Sequence, residues 1–148
     1  MTPILLPWKE EVEDMKIKYN FGLLKNQSIG FLNEHNGTGY HGILRNVKKK
    51  GNNYQFQYEG GFVEISEMQF LTCRFVLMNE VYYFIPNSEP VVSGLFVYSM
   101  YDTYGFPLEI TEEILQEQGY GIDRTGFELM KEIQKKKNKG TFKTKDAF

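Results

Sequence analysis

Along residues 8–18, WKEEVEDMKIK, apolar Trp8, Val12 and Met15 recur at helical spacing with Tyr19 next in phase, and carboxylates fill the opposite face. This predicts a short amphipathic helix. From Phe21 to about Pro86 the apolar period falls towards two, and Gly, Asn, β-branched and aromatic residues dominate. In YQFQY, Tyr54, Phe56 and Tyr58 alternate with Gln55 and Gln57, so one face is aromatic and the other carries amides. KKKGNN before it and Gly60-Gly61 after it predict turns, and Met78-Asn79-Glu80 between RFVL and VYYFIP predicts a second hairpin. A further loop is expected at Asn36, Gly37 and Gly39.

Each of these strands is too short to bury a face alone. Together they predict a small, bent antiparallel sheet or an SH3-like barrel. Pro86, Asn87, Ser88 and Pro90 interrupt strand and helix alike, and mark the expected boundary between a unit over residues 1–90 and another over 91–148. Beyond it the helical period returns. Thr111 is the expected N-cap of a two-turn helix with Glu112 and Glu113 in its first turn and Gly119 or Gly121 as its stop. Asp123 is the expected cap of a second helix, with Phe127, Met130 and Ile133 as its apolar stripe and Gly140 as its end. The fold class is therefore α+β: a short N-terminal helix, the small sheet or barrel, and a C-terminal two-helix unit.

Composition narrows the function. The chain has 148 residues with 12 Phe, 10 Tyr and 1 Trp, ample for a buried core. A net charge of -2 gives no bulk attraction for nucleic acid, so any such binding needs a local patch. One patch is visible: Arg124 to Phe148 holds eight basic and three acidic residues, whereas Tyr101 to Asp123 holds six acids and no Lys or Arg. Helix-dipole complementarity alone also accounts for lysines at a helix end. Cys73 is the one cysteine, which fits a reducing compartment, read as cytoplasmic. The prolines and acids of the first fifteen residues fit neither a secretory signal nor a membrane span, since a span needs about 20 apolar residues. His35, His41 and Cys73 are too scattered for zinc, and no phosphate loop or nucleophilic triad is present; no metal, cofactor or membrane partner is expected.

The segment from Ser93 to Lys137 carries the most specific pattern. Gly94, Val97, Tyr98 and Met100 lead into Tyr101–Pro107, YDTYGFP; Thr111, Glu112, Glu113 and Ile114 follow, then Asp123, Gly126, Phe127 and Glu128. These residues, in this order and spacing, resemble the end of the tRNA-recognition region of alanyl-tRNA synthetases. The residues before position 93 do not, and the arginine-bearing motifs of a class II catalytic domain are not found.

The resemblance implies that Asp102 stands where the family uses an aspartate to read a wobble G·U pair in the tRNA acceptor stem. The chemistry is coherent. The minor groove of A-form RNA is wide and shallow, a wobble guanine leaves its N2 amino group free, and an ionised carboxylate is a pure acceptor. Tyr101 and Thr103 flank it. The carboxylate is repelled by phosphates, so cations must hold the RNA backbone; Lys135, Lys136, Lys137, Lys139, Lys143 and Lys145 are the candidates. The competing reading is architectural: the aromatics wedge a helix end, Gly105 takes a positive φ, Pro107 forbids continuation, and Asp102 satisfies backbone donors. The functional expectation is a non-catalytic, stand-alone relative of alanyl-tRNA synthetase that binds tRNA or tRNA-like RNA. The alternative is a protein-interaction or scaffolding domain in which the motif serves only folding.

Overall fold

The computed structural model describes residues 19–32, 39–86 and 90–146, with side chains as far as Asn138. The helix expected over 8–18, the loop positions Asn36 and Gly37, and Asn87 and Ser88 lie outside them. Tyr19, in phase with that helix, is buried against Phe70 with ring centroids 5.0 Å apart and edge-on geometry.

After a 3-10 turn at Phe21–Leu24 come strands β1 (Ser28–Leu32), β2 (Gly39–Ile43), β3 (Asn46–Lys50), β4 (Asn53–Tyr58) and β5 (Gly61–Ser66). A one-turn helix α1 (Glu67–Leu71) leads to β6 (Cys73–Met78) and β7 (Val81–Pro86). The expected hairpins form. β3 meets β4 across a turn in which Gly51 has φ +59°, and β6 meets β7 across Asn79 and Glu80, both at positive φ as a two-residue hairpin turn demands. Lys48, Lys49 and Lys50 belong to the strand rather than to the hairpin tip.

The strands divide into a four-stranded sheet of order β2-β1-β7-β6 and a three-stranded sheet of order β3-β4-β5. Among the described residues they do not close into a barrel, and the β1–β7 pair is parallel while its neighbours are antiparallel. Aromatic packing joins the sheets instead. Phe70 of α1 lies 5.6 Å from Phe56 of β4 and 5.1 Å from Phe84 of β7, and the Tyr58 hydroxyl donates to the Ile29 carbonyl at 3.0 Å. A capping box between Ser66 and Gln69 holds α1 in place for this contact.

Beyond residue 90, short strand β8 (Val91–Val92) pairs in parallel with β9 (Gly121–Ile122). Three helices follow the same stretch: α2 (Gly94–Tyr104), α3 (Leu108–Glu117) and α4 (Arg124–Asp146). α2 precedes the two expected helices. Its residues Gly94 to Met100 are all buried, so it has no polar stripe to reveal its period. The expected cap at Thr111 is corrected: α3 begins four residues earlier than that cap implies, with Pro107 at the N-cap, and Thr111 is a buried interior residue. Proline has no N–H to leave unsatisfied, and its fixed φ suits a helix entrance. Gly119, at φ +85°, follows the end of α3 as expected. Gly140 does not end α4, which continues to Asp146; one interior glycine costs only about 1 kcal/mol relative to alanine. Phe127, Met130 and Ile133 are buried and join the core shared with the sheets.

Candidate nucleic-acid interface

Two constellations of the YDTYGFP-bearing segment differ in what surrounds them. The first is buried. Asp123, only 5 % exposed, accepts hydrogen bonds from three backbone N–H groups: Phe75 at 2.9 Å and Gly94 at 3.1 Å on Oδ2, and Gly126 at 3.0 Å on Oδ1. It thus caps α4 as expected while also tying β6 and the start of α2 to it. Burial raises its pKa; the three N–H bonds and the charge of Arg74 oppose that rise. Glycine is required on both sides. A Cβ on Gly94 would overlap the Phe127 amide nitrogen, and a Cβ on Gly126 would overlap the Asp123 carboxylate.

The second constellation is the last turn of α2. Gly105 takes the left-handed conformation, φ 72°, and the Met100 carbonyl accepts from Phe106 N–H at 2.9 Å, so the chain turns sharply into Pro107 and α3. Tyr104 and Phe106 are half-buried wedges at this corner, while Tyr101, Asp102 and Thr103 face solvent. Among the described residues the Asp102 side chain forms no hydrogen bond or ion pair. Its charge is felt by the Tyr98 hydroxyl, whose pKa is pushed up to about 12, by burial first and then by Asp102. A carboxylate in the last turn also meets the negative end of the helix dipole, which disfavours it by about 0.3–1 kcal/mol at an exposed site. Folding therefore gains nothing visible from an acid here.

Beside Asp102 lies an aromatic and basic surface. Tyr101, 45 % exposed, packs edge-on against Phe127 with centroids 5.6 Å apart, and Lys131 Nζ sits 5.6 Å above the same Phe127 ring. Lys135, exposed and one turn further along α4, extends this stripe. Lys131 was not among the expected site lysines; its signal was the i, i+4 spacing from Phe127. Lys136 is exposed on another face of the helix. Lys137 is engaged, its Nζ donating to the Gly22 carbonyl at 2.6 Å, which fastens α4 to the 3-10 turn. The side chains of Lys139, Lys143 and Lys145 lie outside the described residues. Arg124 pairs with Glu112 and is neutralised there.

The zinc candidates fall apart. Cys73 is buried in the core, where burial pushes its thiol up, His41 lies on β2 with its ring 6.2 Å from Tyr83, and His35 is outside the described residues. Among the described residues no three His, Cys, Asp or Glu side chains are grouped to hold a metal, and no helix is long and apolar enough to cross a membrane.

Residues 77–148 match the family of class II tRNA synthetases (A). Alanine-tRNA ligase of Streptococcus gordonii is 51 % identical over 51 residues, 34 % of this chain and 6 % of the relative. This carboxyl-terminal segment is alanyl-tRNA-synthetase-like. The enzyme of Microcystis aeruginosa is 46 % identical over 55 residues, 37 % of this chain, and that of Alkaliphilus oremlandii 49 % identical over 49 residues, 33 % of this chain. In each case the match spans 6 % of the ligase. No solved structure matches the chain. The synthetase-like segment starts earlier than its motif suggested, at Leu77, so it takes in the β6–β7 turn and β7 as well as the helices.

Proposed function

We propose that this chain is a non-catalytic binding module for tRNA or tRNA-like RNA, acting in the cytoplasm, with the α2 corner as its reading head. Asp102 accepts from an exposed guanine amino group in the minor groove of an acceptor stem, Tyr101 and Thr103 border the contact, and Lys131 and Lys135 hold phosphates. One observation carries this reading: Asp102 is exposed, has no partner among the described residues and occupies an end of a helix that disfavours its charge. An acid kept only for architecture would resemble Asp123, whose oxygens are occupied.

Because the matched stretch spans 6 % of each ligase, ligase activity is not carried over. Incubation of this chain with ATP, alanine and pyrophosphate should give no alanine-dependent exchange. Binding is tested by titrating a fluorescent acceptor-stem hairpin bearing a G·U pair at increasing salt. Two lysine–phosphate contacts predict that log K falls with log salt at a slope of about -1.4 to -1.8. Absence of binding at low salt, or binding indifferent to salt, would overturn the proposal and favour a protein-interaction role.

A further inference from the structure

The alternation of YQFQY has a second consequence on the face away from the core. Strand register places Asn46, Gln57 and Phe62 in one row across β3, β4 and β5, with Lys48, Gln55 and Glu64 in the next and Lys50, Asn53 and Ser66 in the third. All nine side chains share one face of the sheet, because residues paired across strands and residues two apart along a strand point the same way. The opposite face carries Tyr54, Phe56, Tyr58, Val63 and Ile65 into the core; Lys49 shares that face but is exposed and pairs with Glu67 at 3.6 Å. The three lysines are thus split by the pleat: two face outward together and one does not.

On this outer face Lys48, Lys50, Phe62 and Glu64 are exposed, whereas Gln55 at its centre is buried. Phe62 is 60 % exposed, the highest of the large apolar side chains among the described residues, on a face that is otherwise polar. The amides on this face are ordered: Gln57 Nε2 donates to Gln55 Oε1 at 2.8 Å, and Asn53 Nδ2 donates to Glu64 Oε2 at 3.1 Å, which engages one oxygen of the one acid of the grid. Lys48 and Lys50 project from an edge strand about 7 Å apart.

We infer that the outer face of β3-β4-β5 is a second nucleic-acid surface, taking a single-stranded RNA segment with a base stacked on Phe62, an amide contact from Gln57, and phosphates on Lys48 and Lys50. An exposed flat ring and cations on one face are the pairing that single strands use, because every base has a π-face and every linkage a negative charge; here the ring on β5 and the lysines on β3 stand at opposite edges of that face. The inference rests on the RNA-binding reading above but concerns a different sheet, a different ligand form and residues that the synthetase-like segment does not contain.

The test uses two probes with the full chain: a fluorescent uridine decamer, and the blunt G·U hairpin with no single-stranded extension. Phe62→Ala and the double variant Lys48→Ala/Lys50→Ala should each weaken decamer binding roughly ten-fold while leaving hairpin binding unchanged. Phe62→Tyr should retain decamer binding. Phe62→Leu, which keeps apolar bulk but loses the flat ring, should not, and serves if the alanine variant folds poorly. No binding of the decamer to the wild-type chain, or equal binding by wild type, Phe62→Leu and the lysine double variant, overturns the inference. Loss of hairpin binding with decamer binding intact instead strikes the acceptor-stem proposal and leaves this one standing.

Discussion

Asp123 and Asp102 lie 21 residues apart in the same synthetase-like segment and meet opposite environments. Asp123 is enclosed, and both oxygens accept from backbone N–H groups that belong to a strand and two helices. Asp102 is open to solvent and has no partner among the described residues. The difference separates two causes that a shared motif confounds. A residue whose every bond goes inward is accounted for by the fold, whereas an acid with no inward bond, at the unfavourable end of a helix, needs an external partner to account for it.

The sharpest way to break this comparison is to remove each carboxylate. Asp123→Ala leaves three backbone donors unmatched in the interior and should cost about 4 kcal/mol, read as a fall in the denaturation midpoint. A loss below about 1 kcal/mol would mean that the clasp is dispensable. Gly94→Ala should come next at about 3 kcal/mol, because the new methyl collides with backbone that no rotamer can move aside. Asp102→Ala should leave stability within about 0.5 kcal/mol of wild type in the same measurement, or raise it slightly by relieving the dipole.

The acid response should differ too. Burial raises the Asp123 carboxyl above its ordinary value, so the native state keeps this proton at a pH where the unfolded chain has already lost it. Between about 3.9, the unfolded value, and the raised native value, this group makes stability fall as pH rises, the reverse of an ion-paired aspartate. Comparing midpoints across that window in wild type and Asp123→Asn should show the wild-type slope reduced in the variant, whatever the variant's absolute stability. Equal slopes would place the titration elsewhere.

Local rules carried much of this fold and stopped at identifiable points. The alternation of YQFQY, the glycine turns, Asp123 as a cap and the Phe127–Met130–Ile133 stripe were legible because each depends on near neighbours in the chain. The end of α2 at Gly105 was legible in the architectural reading, but its body was hidden by being apolar nearly all round, and the parallel pairing of β1 with β7 joins residues more than fifty positions apart that no local pattern links. Thr111 looked like a cap because its side chain suits one, yet Pro107 sets the helix start and packing claims the threonine. At the candidate site, Asp102 was legible through its motif, but its exposure was not. Nor was the division of the lysines: Lys137 reaches the Gly22 carbonyl, and Lys131 is drawn to the site by an aromatic ring one turn away.

The most direct test is the ratio of affinities for two acceptor-stem hairpins that differ only in G·U against G·C, measured for the wild-type chain and Asp102→Ala with folding verified alongside. The wild-type chain should favour the G·U hairpin by roughly ten-fold, within the span that one good base contact provides, and the variant should bind both alike. An unchanged ratio in a folded variant would contradict the account and leave the α2 corner as architecture.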